Sequence, residues 1–364
     1  MQEKADGQNY APQGRAEPVC GPGEFPVGVI GLDHGHIYGM CNGLSEAGAD
    51  IALVWDPDPA RVELFRKSFP SAKAAASKAH ILEDASVKLI ASAAIPADRC
   101  RIGIEAMDYG KDYFADKPPL VSREQLEQAR SCVSCTGRKF NVYYSERLHV
   151  EAAVCAENLL AQGAIGKVAH VMGLGPHRLG APSRPEWFWD RARYGGILVD
   201  IGCHQIEQIL VYAGAETAKI ISAGVANYHN KNHPDFEDFG CASLVCDNGV
   251  LGYFRVDWFT PDGLGAWGDG RVFIVGTDGY IEIRKYIDPA SDREGDHLIL
   301  VNREGEQHIK AAGTCGFPFF GNFIRDCLGR AQTAMTQEHV FTVMELAISA
   351  QEHALASGVG GFKG

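Results

Sequence analysis

The stretch FPVGVIGLDHGHIYGM, residues 25–40, decides how the N-terminal part of the chain folds. Its apolar run VGVIG (27–31) predicts a short buried β-strand that ends at a glycine. The segment from about residue 36 to 48 predicts a helix. A strand, a glycine turn and a helix in this order indicate the first unit of an α/β fold with a ligand-binding turn.

The turn itself departs from the usual dinucleotide pattern. In that pattern the first glycine makes the bend, the second admits the pyrophosphate, and the third lets the helix pack on the strand. Gly31 fits the first position, whereas Asp33 and His36 stand at the second and third, with Gly35 one place early. Asp56 follows the next apolar run, where an acid binds the adenosine ribose hydroxyls and favours NAD over NADP. The alternative role of Asp56 is to cap the helix that follows.

Apolar strands alternate with helical segments up to about residue 147. Because parallel strands need helical crossovers, this alternation predicts a doubly wound parallel sheet of the Rossmann type. Ligands bind such sheets at the carboxyl ends of the strands. The further predicted strands are IALVWD (51–56), VKLIASAAI (87–95), DYFADKPP (112–119) and KFNVYYS (139–145), and the predicted helices cover 59–69, 98–110 and 122–133, the last capped by Ser122.

The pattern changes after about residue 150. Helices are predicted at about 150–162 and 199–213, and a last helix at about 336–356 with Thr336 as its cap. Turn pairs between apolar runs predict hairpins and hence antiparallel pairing. The second domain is therefore expected to be α+β with a large, open, mostly antiparallel sheet. The hairpin turns are Asn248-Gly249, Asp278-Gly279 and Glu304-Gly305, and the predicted divisions are an arm (1–25), a dinucleotide-binding domain (26–147) and a substrate-binding and oligomerisation domain (148–364).

Composition excludes several classes of partner. The chain has 364 residues, 46% of them hydrophobic, which favours two domains. Its formal net charge is -12 without a long basic run, so nucleic acids and anionic membranes are not expected partners. The N-terminus lacks the layout of a secretory signal and the 11 cysteines are scattered, so a cytoplasmic protein is expected. The pair Cys132 and Cys135 is interpreted as helix packing rather than a redox motif.

Two motifs place proton-handling side chains at predicted element ends. Lys117 ends a strand and precedes Pro118 and Pro119, a rigid turn that would fix its direction so that it can polarise a substrate hydroxyl. The alternative is a surface lysine before a proline turn. Asp200 and His204 are four residues apart at the start of a predicted helix and so share one face.

A histidine at this position can move a proton near neutral pH, and Asp200 can orient it or hold the substrate. The alternative is a helix acid beside a satisfied core histidine. His204 with Glu207 is too small a set for a metal, so no metal site is predicted.

Further polar and aromatic residues follow predicted strands. Glu146 and Arg147 come after the strand at 139–145 and are expected to face a ligand or the domain junction. The segment GLGPHRLGAPSRPEWFWD offers side chains that bind sugar hydroxyls and ring faces, with core packing as the alternative for each. These side chains are His177, Arg178, Trp187 and Trp189.

The order of these features over residues 26–355 resembles the Gfo/Idh/MocA oxidoreductases, which include glucose–fructose oxidoreductase and inositol dehydrogenase-like enzymes. In that family the lysine of a Glu-Lys-Pro motif contacts nicotinamide and substrate, which corresponds to Lys117 of Asp116-Lys117-Pro118 here. The family's Asp-x-x-x-His motif corresponds to Asp200 and His204, with His204 as general acid/base. The resemblance rests on the Gly31 turn, Asp56, Ile95-Pro96, DKP, GAIGKV, GGILVDIGCH and the C-terminal hairpin sheet.

The resemblance implies an NAD(H)-dependent oxidoreductase acting on a hydroxyl or keto carbon of a sugar, cyclitol or sugar derivative, assembled as a homodimer or homotetramer through the C-terminal sheet. Two alternatives stay open: an NAD-retaining enzyme that cleaves a glycosidic bond by transient oxidation and elimination, and a non-catalytic sugar or NAD sensor. The expected catalytic residues are Lys117, Asp200 and His204. The expected NAD-binding residues are Gly31, Leu32, Asp33, His34, Gly35, His36, Asp56, Ile95, Pro96, Asp116, Lys117 and Arg147. The expected substrate-binding residues are Lys117, His177, Arg178, Trp187, Asp200 and His204.

Overall fold

Six parallel strands form the first sheet in the computed structural model, which describes residues 12–291 and 293–358. Their order across the sheet is β3-β2-β1-β4-β5-β6. This is the doubly wound Rossmann arrangement that the alternation of strands and helices predicts. The strands are β1 (Pro26–Ile30), β2 (Asp50–Trp55), β3 (Lys73–Ala74), β4 (Leu89–Ser92), β5 (Asp112–Asp116) and β6 (Phe140–Tyr143).

Helices cross between these strands. Ser122 accepts a hydrogen bond from the backbone N–H of Gln125 at 3.2 Å, so it caps its helix as predicted. The cap that precedes Pro59 is Asp58, which accepts from the N–H of Ala60 at 2.9 Å. The short elements β3 and α3 were not predicted. The helices are α1 (His36–Glu46), α2 (Pro59–Ser68), α3 (Lys78–Glu83), α4 (Pro96–Asp108) and α5 (Arg123–Thr136).

Eight strands form a second sheet in the order β14-β13-β12-β11-β7-β10-β9-β8. All neighbours are antiparallel except β7 and β10. Hairpins occur at each of the three predicted turns, which confirms the large, mostly antiparallel sheet. The strands are β7 (Val168–Pro176), β8 (Ala218–Ala226), β9 (Phe239–Cys246), β10 (Leu251–Asp257), β11 (Arg271–Gly276), β12 (Gly279–Arg284), β13 (His297–Asn302) and β14 (Gly305–Lys310).

Helices cover one face of this sheet. An added Cβ at Gly252 of β10 would meet Ile209 at 2.8 Å, so the helix that carries Ile209 packs directly on the strand. The predicted helix 199–213 is two helices with a break at Ile201. The second-unit helices are α6 (Ser145–Leu148), α7 (Glu151–Ala161), α8 (Arg191–Tyr194), α9 (Ile197–Asp200) and α10 (Gly202–Ala213), with 3-10 turns at Ala181–Ser183 and Glu186–Trp189.

The predicted strand 139–145 ends earlier than expected. Tyr143 is the last strand residue, and Ser145–Leu148 form a helical turn that belongs to the second unit. Glu146 and Arg147 are buried there.

Two further helices complete the chain, α11 (Pro318–Gly329) and α12 (Gln337–Ser357). Helix α11 was not predicted. The N–H of His339 donates to Thr336 at 3.1 Å, so Thr336 caps α12 as expected.

The described chain divides into two compact units. The first contains Arg15–Tyr143 and Gly316–Phe341, and the second contains Tyr144–Cys315 and α12 from Thr342 onward. The boundary after Tyr143 lies before the predicted division at 147/148, and residues 316–341, predicted for the second domain, group with the first unit. Phe320 of α11 fills the space that a side chain at Gly43 of α1 would need, with 2.2 Å between its ring and an added Cβ.

The predicted arm lies partly outside the described residues, which begin at residue 12. Residues 15–25 extend over the first unit without a helix and reach β1. The N–H of Val19 donates to the carbonyl of Ala47 at 2.9 Å, and the N–H of Phe317 donates to the carbonyl of Arg15 at 3.2 Å. Within 12–291 and 293–358, none of the helices has the length and apolar character of a membrane span.

Candidate active site

The turn after β1 requires a glycine. Gly31 has a φ of +87°, and an added Cβ would lie 2.6 Å from the Cβ of Ala94. The carbonyl of Gly31 accepts from the N–H of Ala93 at 3.2 Å, and the N–H of His34 donates to the carbonyl of Ala93 at 3.0 Å. The backbone therefore joins the loop after β1 to the loop after β4, where Ile95 and Pro96 begin α4.

Asp56 lies at the carboxyl end of β2, as predicted, and is tied to the turn. Its Oδ2 accepts from the N–H of Leu32 at 2.7 Å, and its Oδ1 accepts from the N–H of Asp58 at 2.9 Å. Because Asp58 caps α2, the alternative in which Asp56 is the cap is not the one observed. The carboxylate of Asp56 is buried and fixes the position of the loop relative to β2.

Asp33 is neutralised by a neighbouring cation. Its carboxylate forms an ion pair with Arg61 of α2, and the same guanidinium lies 3.8 Å from Asp56. A negative charge in this loop would repel phosphate groups. The ion pair with Arg61 reduces the repulsion that Asp33 would exert on an anionic ligand.

His34 and His36 both bind the carboxylate of Asp116. Nδ1 of His36 lies 2.8 Å from Oδ1 of Asp116, and Nδ1 of His34 lies 2.9 Å from Oδ2. The two rings meet edge to face with centroids 4.2 Å apart. His36, which stands at the third glycine position of the usual pattern, and His34 thus form one polar network with the end of β5.

Arg99 of α4 is the fourth side chain of this network. Its Nη2 donates to Asp116 at 2.9 Å, its Nε donates to the carbonyl of Ala94 at 2.6 Å, and its Nη1 donates to the carbonyls of Lys117 and Pro118. The side chain is only 1% exposed. Arg99 therefore holds the ends of β4 and β5 together.

The electrostatics of the network follow from burial and charge. Burial alone would raise the pKa of Asp116, but Arg99 and the two histidines hold it well below its usual range. Burial and the neighbouring His36 lower the pKa of His34 to about 4. At neutral pH the network therefore contains an ionised Asp116 and a neutral His34.

The same three side chains offer a ligand set that the sequence did not predict. One ligand atom from each of His34, His36 and Asp116 lies within 4.8 Å of the others. However, Asp116 already accepts from His34, His36, Arg99 and the N–H of Lys117, the last at 2.7 Å. The adjacent Arg99 guanidinium would also repel a cation, so the geometry favours an internally satisfied network.

Lys117 follows β5, where the sequence placed it. Its peptide bond to Pro118 is cis, and the residue is 5% exposed. Its N–H binds Asp116 and its carbonyl accepts from Arg99. The backbone of Lys117 is thereby fixed on both sides.

In the second unit, Asp200 and His204 lie at the junction of two helices. Asp200 is the last residue of α9 and His204 is the third residue of α10. Both are buried, and the ring of Tyr144 lies edge to face with that of His204 at 6.2 Å. Burial lowers the pKa of Arg184 to about 10, and the charge of Asp200 acts in the opposite direction, which places Arg184 near this junction.

Glu146 is the hub of a buried charged cluster in the same unit. Its Oε2 accepts from Nζ of Lys285 at 2.6 Å and from Nε2 of Gln205 at 2.9 Å. Its Oε1 lies 3.9 Å from Nε2 of His177. The Lys285 and Glu146 side chains are 0% and 2% exposed, so this ion pair is shielded from water.

Two arginines with predicted ligand roles are used internally. Nε of Arg147 donates to Glu207 at 2.7 Å and its Nη1 donates to Glu157 at 2.8 Å. Nη2 of Arg178 donates to the carbonyls of Leu264 and Ala266 in the loop between β10 and β11. These contacts favour structural roles for both guanidinium groups.

The aromatic residues of the segment 177–190 pack into one cluster. The ring of His177 lies 4.1 Å from Trp267 and 5.3 Å from Trp258, measured between centroids. Trp187 is buried, and Trp189 stacks on His233 at 3.9 Å. His177 and Trp187 are thus brought to the same unit as His204.

Sequence analysis missed Arg99 and Lys285. Arg99 lies in a helical segment rich in charged residues, so the sequence pattern does not distinguish a buried arginine from an exposed one. Alternation places Lys285 on the same inner face as Ile281 and Ile283, but a lysine directly after a strand is usually exposed, so its full burial was not predicted.

Comparison with known proteins finds a matching domain family and a related dehydrogenase. Residues 154–282 match the model of the GFO/IDH/MocA C-terminal domain. Over 261 residues the chain is 26% identical to scyllo-inositol 2-dehydrogenase (NAD(+)) of Bacillus subtilis (strain 168), covering 70% of this chain and 72% of the relative.

Solved structures agree on the fold. A candidate oxidoreductase from Erwinia carotovora atroseptica SCRI1043 is 49% identical with a TM-score of 0.88, covering 91% of this chain and 98% of that one. Levoglucosan dehydrogenase in complex with NADH and levoglucosan is 17% identical with a TM-score of 0.75, covering 91% and 97%. The domain match shows that the chain carries a GFO/IDH/MocA C-terminal domain, and the solved structures show the same two-sheet architecture for the chain as a whole.

Proposed function

We propose that the protein is an NAD(H)-dependent oxidoreductase that acts on a hydroxyl or keto carbon of a sugar, cyclitol or sugar derivative. The observation that carries the proposal is Asp56, fixed at the carboxyl end of β2 and bonded to the turn after β1 at Leu32. In a sheet of this order, that position receives the ribose of a dinucleotide. The names of the relatives, an NAD(+)-dependent inositol dehydrogenase among them, support the substrate class.

The residues of the first unit fit a dinucleotide despite the unusual turn. Gly31 gives the close approach of two loops, Asp33 is neutralised by Arg61, and the imidazoles of His34 and His36 are bound to Asp116. Asp33 of this turn and Asp116 at the end of β5 are therefore each paired with a cation, Arg61 and Arg99 respectively. The sensor alternative drew its support from the odd loop, and this compensation weakens that support.

The proposed chemistry divides between two groups of residues. NAD, when bound, supplies the hydride acceptor. His204 takes the proton of the substrate hydroxyl during oxidation and returns one during reduction, as a general acid/base. Lys117 stabilises the developing negative charge on the oxygen, and Asp200 holds the substrate or orients His204.

We also propose that the second sheet pairs with another copy of the chain. Leu251, His170, Val275 and Tyr280 lie opposite one another in register across four strands. Leu251, Val275 and Tyr280 are 55%, 42% and 42% exposed, so this face presents an apolar row to solvent. A second copy would bury that row.

Sedimentation velocity tests this assembly. The wild-type protein is expected to sediment as a dimer or tetramer at micromolar concentration, and Tyr280→Glu is expected to shift it toward monomer because a charge enters the apolar row. Tyr109→Glu is the control, since Tyr109 is 50% exposed and lies outside this sheet. A monomeric wild type, or equal effects of the two variants, contradicts the assembly.

Thermal unfolding with added nucleotides tests cofactor binding. A ligand that binds only the folded state raises the midpoint, by about 5–10 °C at a concentration about 100-fold above its Kd. For protein shown to carry no nucleotide, we expect a rise with NAD+ and NADH and little change with NADP+. No rise with any of the three contradicts the proposed function.

A matched pair of variants tests the part played by Asp56. Asp56→Asn removes the charge and keeps an acceptor oxygen for only one of the two N–H groups that Asp56 binds, so the difference between NAD+ and NADP+ is expected to shrink. Asp58→Asn removes the charge of the neighbouring cap and is expected to keep the wild-type preference. Equal preferences in both variants would assign cofactor selection to another residue.

A further inference from the structure

Only one of the two carboxylate oxygens of Glu146 accepts hydrogen bonds among the described residues. Oε2 is held by Lys285 and Gln205, whereas Oε1 is fully buried and accepts no hydrogen bond within the described part of the chain. A buried carboxylate oxygen without a donor is costly, so a nearby cation or water is expected to compensate it. One candidate that faces this oxygen is the imidazole of His177, whose Nε2 is 3.9 Å away.

The orientation of His177 sends its second nitrogen toward this oxygen. Nδ1 of His177 lies 3.1 Å from the carbonyl of Gly175, and a carbonyl can only accept. Nδ1 therefore carries the proton. Nε2 then faces Glu146 either as a bare acceptor or as the second N–H of an imidazolium, and a neighbouring carboxylate stabilises the imidazolium.

The strand beside the site is shaped to let Gln205 reach Glu146. An added Cβ at Gly173 would lie 2.3 Å from Oε1 of Gln205, and one at Gly175 would lie 2.7 Å from its Nε2. Both glycines are on β7, so the strand gives up two side chains to make room for this amide. The carboxylate is thus fixed by packing as well as by charge.

Charges around the carboxylate come from several elements. Burial alone would raise the pKa of Glu146, but Lys285, His204 and His177 hold it well below its usual range. Burial lowers the pKa of Lys285, an effect that Glu146 and Glu207 oppose. Glu146 is therefore a fixed negative charge at neutral pH.

Three further titratable groups of the cluster are two phenols and the carboxylate of Glu207. Burial raises the pKa of Tyr144 and of Tyr212 well above the usual value, so both phenols stay neutral. The charge of Glu207 is matched by the buried guanidinium of Arg147 at 2.7 Å. The histidines are left as the groups whose protonation Glu146 can influence near neutral pH.

We propose that Glu146 is a positioning residue for proton transfer: held by Lys285 and Gln205, it stabilises the protonated forms of His177 and His204. The inference deepens the proposed function and rests on it for the meaning of the proton transfer. Gln205, the neighbour of His204 on α10, binds Glu146. When His204 takes the substrate proton, the positive charge therefore forms in the same cluster as a carboxylate that is already ionised and oriented, so little reorganisation is needed.

Nuclear magnetic resonance titration of the histidine imidazoles tests this directly. The chain has 13 histidines, and the signals of interest are identified from their loss in His177→Gln and His204→Gln. In Glu146→Gln the protonation midpoint of His177 is expected to fall by about one to two pH units, because removing a carboxylate at this distance has effects of that size. His204 is expected to move in the same direction by a smaller amount.

Glu157→Gln is the matched control. Glu157 also pairs with a buried cation, Arg147, but its side chain is 33% exposed and it has no contact with His177 among the described residues. It is expected to leave both midpoints unchanged. Unchanged midpoints in Glu146→Gln, or equal changes in the two variants, overturn the proposal.

A double variant keeps the test valid if Glu146→Gln alone does not fold. Glu146→Gln combined with Lys285→Met removes both charges and leaves no unpaired ion in the interior, a change that buried pairs often tolerate. The histidine midpoints are expected to fall here as well, but by less, since the opposing charge of Lys285 is also gone. A rise or no change overturns the proposal. Because the titration needs neither substrate nor NAD, its outcome is independent of the nucleotide-binding experiment.

Discussion

Replacing His204 by alanine is expected to abolish most turnover while leaving nucleotide binding in place. General acid/base catalysis by one side chain contributes about 10²- to 10⁴-fold to a rate, so kcat is expected to fall by that factor. The dinucleotide is assigned to the Gly31 turn and Asp56 in the first unit, so the midpoint shift with NAD+ is expected to persist. The two readouts together separate lost chemistry from lost binding.

The assay follows NADH absorbance with a panel of polyols and sugars that includes scyllo-inositol and levoglucosan. His204→Gln serves as a second variant that keeps more of the buried volume than alanine does. His353→Ala, an exposed histidine on α12, is the control and should keep the wild-type rate. Wild-type rates in His204→Ala would show that another group moves the proton.

Replacing Asp116 by asparagine is expected to destabilise the first unit by about 3–5 kcal/mol. Removing one partner of a buried ion pair leaves the other charge uncompensated in the interior, and losses of that size are typical. Arg99, only 1% exposed, would lose its carboxylate partner, and His34 and His36 would lose an anionic acceptor. Urea unfolding gives the free energy, and hydrogen exchange in β4 and β5 locates the change.

Asp98→Asn is the matched control for this prediction. Asp98 pairs with Arg101 at 3.1 Å on the surface of α4, with side chains 44% and 58% exposed, and exposed pairs contribute about 0–1 kcal/mol. Combining Asp116→Asn with Arg99→Met is expected to recover part of the loss, because no bare guanidinium remains. Similar losses in Asp116→Asn and Asp98→Asn would mean that the network carries little stability.

The alternation of apolar and helical segments was enough to predict both sheets. Strands β1, β2, β4 and β5 are short apolar runs that only a sheet covered on both faces can bury, and the hairpin turns marked the antiparallel sheet. Elements without such signals were missed. Strand β3 has only two residues, both exposed, and α11 carries a dense apolar run that is equally compatible with strand and helix.

The positions of candidate residues in the fold were predicted correctly where the main chain sets them. Gly31, Asp56 and Lys117 lie at strand ends, and position along a strand follows from the sequence. Prediction failed where partners come from distant parts of the chain. No local pattern shows that Arg99 reaches Asp116, or that Lys285 and Glu146, far apart in sequence, form one buried pair.

The four donors that bind Asp116 also restrict which substitutions the turn after β1 and the end of β5 can accept. His36 stands where a glycine is usual, His34 stands two places before it, and Asp116 stands where the family has glutamate. Because the shorter carboxylate sits between both imidazoles and Arg99, these three residues form a single structural unit rather than separate departures. Restoring glycine at His36 alone would leave Asp116 with fewer donors, and restoring glutamate alone would push a longer side chain into the two rings. An evolutionary or engineered path back to the glycine turn therefore has to exchange the loop and the end of β5 together.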